Sequence, residues 1–299
     1  MLEPKVSVVI PTYGGSDSLL RSINSVLAQN YSNFNIIVVD DNNPNSEGRK
    51  KTEKIISSFS SEKLIYIQHS KNKNGSAARN TGVANTDAKY ICFLDDDDIF
   101  LQNKIKSQTE YLEKNLEYQA CYCWRKQKNE LVCGTETGDL SKSLLDLSFS
   151  PTTPSIMISR KAYISLNGFD ETYKRHQDYE FLLRFFKKYK MGVVKEVLIE
   201  LFGNEVNNQL YGKKLYDLKE YFFKQFNKDI EELDKKNPGY KKKVYAGHFS
   251  SACKDLLRKG NVFLAVKMYF NYGVYGGFEF WKKFFSIFSR GLKKKLKGN

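Results

Sequence analysis

Four short apolar runs alternate with helical patterns over the first hundred residues, and this alternation most constrains the fold. The runs lie at 6–10, 36–39, 64–67 and 90–94. Each is rich in Val, Ile, Leu or aromatic residues and too short for a helix. Near-continuous apolar strands separated by helices are typical of a parallel sheet covered on both faces. The sequence therefore predicts an α/β fold with a mostly parallel, Rossmann-like sheet.

Polar residues follow three of these predicted strands. They are the segment 11–15 (Pro-Thr-Tyr-Gly-Gly), the pair Asp40 and Asp41, and the run 95–98 of four aspartates. Ligands of open parallel sheets bind beyond the carboxyl ends of the strands. An aromatic ring, a small loop and carboxylates suit a nucleotide, because carboxylates accept hydrogen bonds from a base imide or from ribose hydroxyls.

The run Asp95-Asp96-Asp97-Asp98 needs a physical reason. Two carboxylates about 4 Å apart repel by ~1 kcal/mol in water and by ~4 kcal/mol at an effective dielectric near 20. A divalent cation removes that repulsion, and hard oxygen ligands favour Mg²⁺ or Mn²⁺ bridging to substrate phosphates. The alternative is an acidic loop that faces water. The position after an apolar strand, beside two other polar strand ends, favours the metal.

Two further segments carry candidate groups. Arg79 follows a Gly-Ser-rich helix start at 74–76, and a helix N-terminus with a guanidinium suits a phosphate. An ordinary capped helix with a surface arginine is the alternative. Asp178 lies at the start of an apolar helix and can act as a general base towards a sugar hydroxyl. A simple helix cap is the alternative there.

Several function classes are excluded by missing patterns. The chain has no G-x-G-x-x-G, P-loop or G-x-S-x-G motif, and three histidines leave little room for a histidine-based metal site. Five irregularly spaced cysteines argue against a disulfide scaffold and offer no familiar zinc spacing, which indicates a reduced, cytoplasmic setting. Neither a signal peptide nor an apolar run long enough to span a membrane is visible.

Six segments of the chain form a characteristic series: "VSVVIPTYGG", "IIVVDDNNP", "NGSAARNTG", "YICFLDDDD", "NGFDE" and "HQDYEFLLRF". In order and spacing, over about residues 5–200, they resemble the family 2 glycosyltransferases, which are inverting enzymes of the GT-A fold. The resemblance implies a catalytic domain over 1–204, with a nucleotide-binding half (1–100) and an acceptor half (101–204). A helical C-terminal region would cover 205–299.

The resemblance also implies donor-binding residues. Pro11, Thr12 and Tyr13 match the segment that wraps the nucleotide base. Asp41 matches the residue that bonds the uracil, and Asp95 and Asp96 match positions at the ribose and sugar.

The metal and catalytic roles follow by the same resemblance. The acidic run matches the D-x-D motif, with Asp95 and Asp97 assigned to the Mn²⁺ or Mg²⁺ ion and the diphosphate. Asp178 matches the catalytic base, and Arg79 together with the metal would stabilise the leaving diphosphate. Gln177 departs from the family, which usually has Glu at that position.

The expected reaction is transfer of a sugar from a nucleotide-diphosphate sugar, a UDP-sugar by preference, to a hydroxyl of a glycan or lipid-linked saccharide. A bacterial surface polysaccharide or capsule is the expected product. A nucleotidyltransferase is an alternative, but the loop after the first strand has no basic residue before Arg21. A second alternative is a non-catalytic protein that binds membranes or polyanions on a transferase scaffold.

The C-terminal region carries most of the chain's charge. Residues 205–299 contain 21 Lys/Arg and 9 Asp/Glu, a net of +12 out of +14 for the whole chain. Trp, Phe and basic residues alternate over 281–290, with a lysine cluster at 293–297. This pattern predicts an interfacial helix on anionic lipid, at the inner face of the plasma membrane. The alternatives are a solvated basic surface, or a helix that packs Phe284, Phe285 and Phe288 on the catalytic domain. Nucleic-acid binding fits poorly, because no recognition module is visible.

Overall fold

The computed structural model describes residues 3–128, 130–173, 175–202 and 212–296, with side chains up to residue 285. The chain forms two compact units. The first contains residues 1–141 and 151–205, and the second contains 142–150 and 206–299. The second unit therefore includes a short segment from the predicted acceptor half.

The first hundred residues form four parallel strands joined by helices. The elements are β1 (Val6–Thr12), α1 (Ser18–Leu27), β2 (Phe34–Asp40), α2 (Glu47–Ser57), β3 (Leu64–Gln68), α3 (Gly75–Ala84) and β4 (Tyr90–Phe93). In register, Val6 lies opposite both Phe34 and Tyr90. The apolar side chains of β1, β2 and β4 are buried, so burial on both faces explains their unbroken apolar sequences.

The described remainder of the first unit adds five strands and three α-helices. The short helix α5 lies among them in sequence but belongs mostly to the second unit. In chain order the elements are β5 (Ile99–Phe100), α4 (Lys104–Lys114), β6 (Tyr118–Gln127), β7 (Glu130–Val132), α5 (Ser141–Leu145), β8 (Ile156–Ser159), α6 (Arg160–Ser165), α7 (Gln177–Phe186) and β9 (Lys190–Leu201). The strand order is β3-β2-β1-β4-β8-β6-β9-β5, with β7 beside β6.

The sheet is parallel in its first half and mixed in its second. β8 runs antiparallel to both β4 and β6, while β6 and β9 are parallel. The predicted α/β class of the GT-A type is confirmed, and its parallel part is the half that carries the polar strand ends. Since β1, β2, β3 and β4 are parallel, their carboxyl ends lie at one edge of the sheet. We call this the donor edge.

Pro11 lies inside β1, although the sequence predicts that the strand ends there. Pro11 pairs with Val39, and β1 continues to Thr12. The Val9 carbonyl points towards β4 and accepts a hydrogen bond from the Leu94 N–H. The backbone of Pro11, two residues later, faces the same side. Pairing with β4 stops at Val9, so no ladder partner is lost where proline lacks its N–H.

The second unit is helical, as the sequence predicts for the C-terminal region. It contains α5 together with α8 (Gly212–Lys236), α9 (Tyr240–Arg258), α10 (Val262–Met268), a π-helical turn (Tyr269–Gly273) and α11 (Val274–Leu296). Aromatic side chains fill its core: Phe249 stacks on Tyr272 with ring centroids 4.5 Å apart. No helix in the described part of the chain is both long and apolar enough to cross a bilayer.

Candidate active site

The loop after β1 is shaped by two glycines at positive φ. Gly14 (φ 87°) donates its N–H to Asn42 Oδ1 at 2.8 Å, and Gly15 has φ 69°. A Cβ on Gly15 would come within 2.9 Å of the Gly48 backbone, so only glycine fits this close approach. The loop leaves Tyr13 62% exposed at the donor edge. Its ring is therefore available to stack on a planar ligand.

Asp40 and Asp41, at the end of β2, are both buried. Asp40 accepts from the Tyr66 hydroxyl at 2.6 Å and from the Asn42 N–H at 2.9 Å, and it forms an ion pair with Arg49, whose Nε lies 3.2 Å from Oδ2. These bonds make Asp40 a structural anchor for the donor edge, since a buried carboxylate needs its acceptors filled.

Asp41 is 3% exposed, and its carboxylate has four hydrogen-bond partners. The partners are His69 Nδ1 at 2.7 Å, the Lys73 and Asn74 N–H groups at 2.8 Å each, and Asn72 Nδ2 at 3.1 Å. In this structure Asp41 fixes the loop that leads into α3. The predicted bond between Asp41 and a uracil base stays a prediction.

His69 and Arg49 belong to this site but are not singled out by the sequence analysis. His69 directly follows β3 at the donor edge, where it connects Asp41 to the Thr81 hydroxyl, 2.9 Å from His69 Nε2. Arg49, from α2, donates to the His69 carbonyl at 2.7 Å. His69 could have been predicted as a site residue from its position directly after β3, because each of the other three parallel strands is also followed by a site residue.

The acidic run forms a turn after β4 whose backbone is held by α1. The carbonyl of Asp96 accepts from the Ser18 hydroxyl at 2.8 Å, that of Asp97 from Arg21 at 2.6 Å, and that of Asp98 from the Ser22 hydroxyl at 2.7 Å. The Thr12 hydroxyl donates to Asp96 Oδ2 at 2.6 Å. The structure thus brings Thr12 of β1 and the acidic turn together, as predicted.

Burial and mutual repulsion raise the pKa values of three carboxyls in this turn. Burial raises the pKa of Asp96 to about 6, although the Thr12 hydroxyl opposes the shift. Burial and then repulsion from Asp95 raise the pKa of Asp97. Burial, with repulsion from Asp95 and Asp97, raises the pKa of Asp98 to about 8. Asp98 accepts from the Phe202 N–H at 3.0 Å and is buried, so it supports the turn instead of facing a ligand.

The turn fits a cation that completes its shell from substrate. Across the residues the structure describes, no group of three or more His, Cys, Asp or Glu side chains converges on one point. Asp95 and Asp97 are only partly buried, and burial followed by repulsion from Asp95 raises the pKa of Asp97. Mg²⁺ is commonly held by one or two carboxylates plus substrate phosphates. The donor set suits that arrangement and does not suit a preformed all-protein cage.

Arg79 connects the acidic turn to the start of α7. One terminal nitrogen donates to Asp95 Oδ1 at 2.5 Å, and the other lies 3.4 Å from Gln177 Oε1. The arginine is largely buried, and its Nε has no partner in the described part of the chain. A carboxylate of the acidic turn and an amide of α7 therefore both bond this side chain.

Asp178 lies in the first turn of α7, beside Gln177. Burial raises the pKa of its carboxyl, while the Tyr179 N–H and then Arg79 act to lower it, and Asp95 adds a smaller upward effect. The pKa effects of Arg79 and Asp95 place Asp178 within their electrostatic range. The predicted base thus lies near the acidic turn, although 80 residues separate them in sequence.

The start of α7 is anchored by a buried ion pair. Glu180 is buried and accepts from Arg184 through two bonds of 2.6 and 2.7 Å. Arg184 also donates to the carbonyl of Gly168 at 2.8 Å. Asn80, one residue after Arg79, bonds the Phe169 backbone at both its N–H and its carbonyl, at 2.9 Å each. The "NGFDE" segment therefore joins α3 to α7, a role not predicted from sequence.

The fold and the site define an α/β domain of the GT-A type with an acidic turn at its donor edge. A family model described as Glycosyl transferase family 2 matches residues 7–137. An uncharacterized glycosyltransferase of Methanocaldococcus jannaschii is 30% identical over 239 residues, which are 74% of this chain and 79% of that protein. The chain belongs to glycosyl transferase family 2, as its motifs predict.

Two further relatives match over shorter stretches. An uncharacterized glycosyltransferase of Rickettsia prowazekii is 31% identical over 66% of this chain and 63% of its own length. The chain thus spans less than two thirds of that relative. The E. coli protein named UDP-Glc:alpha-D-GlcNAc-diphosphoundecaprenol beta-1,3-glucosyltransferase WfgD is 33% identical over 37% of this chain and 42% of its own length.

Among solved structures, TarS of S. aureus (residues 1–349) in complex with UDP-GlcNAc has the same fold. The TM-score is 0.59 at 14% sequence identity, and the match covers 96% of this chain and 92% of that one.

Proposed function

We propose that this chain is an inverting, metal-dependent glycosyltransferase that moves a sugar from a UDP-sugar to a hydroxyl of a glycan or lipid-linked saccharide. Synthesis of a bacterial surface polysaccharide is the proposed setting. The observation that carries the proposal is Arg79, whose guanidinium bonds Asp95 of the acidic turn and Gln177, the neighbour of Asp178. The positive charge of Arg79 thereby acts on both Asp95, a carboxylate of the proposed donor site, and Asp178, the candidate base.

The donor edge supports a uridine nucleotide. Tyr13 offers an exposed ring, Thr12 is bonded to Asp96, and Asp41 fixes the loop at residues 72–74 beside it. A bond from Asp41 to the uracil imide requires one of its four present donors to be released. Relatives agree with this donor class: the name of the E. coli protein gives UDP-Glc, and the S. aureus structure contains UDP-GlcNAc.

Asp97 and Asp95 would hold the Mn²⁺ or Mg²⁺ ion. Such a cation, when bound, supplies positive charge to the diphosphate as it leaves. The chain itself adds Arg79, whose guanidinium lies next to Asp95 and stabilises the same developing charge. A bound metal ion would also relieve the repulsion from Asp95 that, after burial, raises the pKa of Asp97.

Asp178 serves as the base of the proposed reaction. Its carboxylate accepts the proton of the acceptor hydroxyl while the hydroxyl oxygen attacks the anomeric carbon opposite the leaving diphosphate. Burial raises the pKa of this carboxyl, which makes the carboxylate a stronger base than a solvated aspartate. One displacement inverts the anomeric centre, and no enzyme nucleophile is needed.

Product analysis tests the reaction type. Incubation with a panel of nucleotide sugars and Mn²⁺ should release UDP, whereas a nucleotidyltransferase would release pyrophosphate. Asp97→Ala should reduce turnover by about 10³-fold, in line with loss of a group that stabilises transition-state charge. Asp87→Ala is the matched control, because Asp87 is an exposed surface residue paired with Lys5. Full metal-dependent activity of Asp97→Ala would disprove the metal assignment.

The proposed location is the inner face of the plasma membrane, with the basic C-terminal residues facing anionic lipid. Residues 205–299 carry the net charge of +12 that supports this proposal. Of the residues in the predicted helix packing, Phe284 is buried and Phe285 is exposed. Phe288, Arg290 and the lysine cluster lie outside the residues whose side chains the structure describes.

A further inference from the structure

The last helices of the second unit carry a stripe of exposed apolar side chains. Its members recur every three or four residues through α10, the π-helical turn and the start of α11, where Gly277 (φ 52°, ψ −138°) forms a kink, and they share their exposure to solvent. Phe263 and Phe278 are each 80% exposed. The apolar stripe consists of Phe263, Val266, Phe270, Val274, Phe278, Trp281 and Phe285, which are all exposed.

The core of the second unit does not use these side chains. Other positions of the same helices supply Ala265, Met268, Phe280 and Phe284, which are all buried. Phe280 packs against Tyr269 with centroids 5.1 Å apart. A helix with one apolar face in the core and a second apolar face in solvent has more apolar surface than folding of the unit requires.

Basic residues accompany the stripe. Lys267 and Lys282 are exposed between its members, and Glu279, which is the only acidic residue in 262–285, lies 3.7 Å from Lys282 in an exposed ion pair. Exposed Trp and Phe combined with Lys are typical of helices that lie in the interface of an anionic bilayer. In such helices the aromatic rings lie in the headgroup region, and the lysines bind lipid phosphates.

We propose that the apolar stripe is a membrane-binding surface that inserts into an anionic lipid bilayer. The choice of an anionic membrane as the partner rests on the peripheral location proposed above. The new element is that residues 263–285, and not the basic tail, insert into the bilayer. A second copy of the chain fits less well. Two-fold pairing would place the same surface of both copies at one interface, and residues 262–285 carry three lysines against one glutamate, so like charges would repel.

Vesicle sedimentation tests the surface. The variant Phe263→Ser/Phe270→Ser/Phe278→Ser should bind vesicles of phosphatidylcholine with phosphatidylglycerol at least about tenfold more weakly than the unaltered chain. The matched control is Leu116→Ser/Leu131→Ser/Ile164→Ser, which removes three exposed apolar residues of the first unit and should bind normally. Binding that persists at 0.5 M NaCl for the unaltered chain distinguishes insertion from electrostatic attraction alone.

Trp281 provides a second measurement without altering the stripe. The chain has two tryptophans, so Trp124→Phe leaves Trp281 as the single reporter. Its emission should shift to shorter wavelength on anionic vesicles and be quenched by brominated lipid. Unchanged emission, or undiminished sedimentation of the triple variant, would overturn the proposal. A dimer that the triple variant dissociates would assign the stripe to a second copy instead.

The proposed transferase activity can be disproved independently of the proposed membrane-binding surface. Release of UDP from the donor in the absence of vesicles measures the first unit's chemistry, and the triple variant should match the unaltered chain in that assay. Vesicle binding without UDP release would leave the stripe standing and would reject the transferase.

Discussion

Arg79 is the residue at which two halves of the proposed chemistry meet. Its guanidinium bonds Asp95 at 2.5 Å and lies 3.4 Å from Gln177, which precedes the candidate base. Gln177 is neutral, so it leaves more of the arginine's charge available to a diphosphate than a glutamate would. The departure from the family pattern at this position therefore has an electrostatic consequence in this chain.

Asp178 should control the acid limb of the pH–rate profile. Transfer needs the carboxylate, so kcat rises as pH rises through the pKa of Asp178. Burial raises that pKa, against the lowering effects of the Tyr179 N–H and Arg79 and with a small raising effect of Asp95. The acid limb of kcat should therefore lie above about 3.9, the ordinary value for Asp.

Asp178→Asn provides the matching variant. It should retain donor binding, measured by calorimetry with UDP and Mn²⁺, and lose transfer by at least about 10²-fold. Asp87→Asn, at an exposed position, serves as the control. Normal transfer by Asp178→Asn would remove this residue as the base.

Asp41 should contribute to stability independently of catalysis. Asp41→Asn replaces one acceptor oxygen with an NH₂ group, which then faces either His69 and the Lys73 N–H or Asn72 and the Asn74 N–H. Unpaired buried donors cost ~1–3 kcal/mol each, so we expect a loss of at least about 2 kcal/mol in the free energy of unfolding. Urea unfolding measures it, with the exposed Asp139→Asn as control. Equal stability of the two variants would contradict the prediction.

At the level of elements, the sequence predicts strands well where both faces are buried. The four runs of the first hundred residues become β1 to β4 with small changes at their ends. The pattern carries no information on direction, so the antiparallel β8 between β4 and β6 was not predictable from its four residues.

Part of the site was also predictable, because it follows from the positions of the predicted strands. Residues at strand ends share an edge through topology alone, so Thr12 and Asp96 could be placed together from sequence. The full set of donors around Asp41 depends on how residues 69–74 fold back, and no local pattern specifies that. Segment 142–150 was assigned to the first unit because its contacts with the C-terminal helices are distant in sequence.

Helices α8 and α9 share a buried polar pair that should make stability depend on pH. Lys219 Nζ lies 3.0 Å from His248 Nδ1, and burial lowers the pKa of Lys219 to about 8. The unfolded chain has a lysine pKa near 10.4, so it binds more protons than the folded chain between about pH 8 and 10. Stability therefore rises with pH across that window and loses this contribution as pH falls through 8.

Lys219→Met should flatten this rise and stabilise the protein at pH 7. We expect a gain of roughly 1–2 kcal/mol in the free energy of unfolding, after loss of the bond to His248. Lys224→Met, at an exposed position of the same helix, should change stability by less than about 0.5 kcal/mol. Urea unfolding at pH 7 and pH 10 measures both. A rise from pH 8 to 10 that survives in Lys219→Met would contradict the assignment.

At the scale of the whole molecule, charge and chemistry are divided between the two units. The first 204 residues have a net charge of +2, and residues 205–299 have +12. The acidic turn and Asp178 lie in the first unit, while the apolar stripe lies in the second. Two different ligands are therefore expected, an anionic nucleotide held through carboxylates and a cation, and an anionic lipid surface met by lysines and aromatic rings.

Hydrogen exchange should separate these two ligands in one protein. Saturation with UDP and Mn²⁺ should slow exchange in 12–15, 95–98 and 176–180, because bound ligand stabilises the segments it contacts. At a hundredfold excess over Kd the stabilisation reaches about 2.7 kcal/mol, hence about a hundredfold slower exchange for amides that require unfolding of the first unit. Anionic vesicles should instead slow exchange in 262–285. Asp97→Ala should lose the first effect and keep the second, because its carboxylate serves only the nucleotide. Nucleotide protection confined to α8–α11, or vesicle protection confined to the donor edge, would contradict this division.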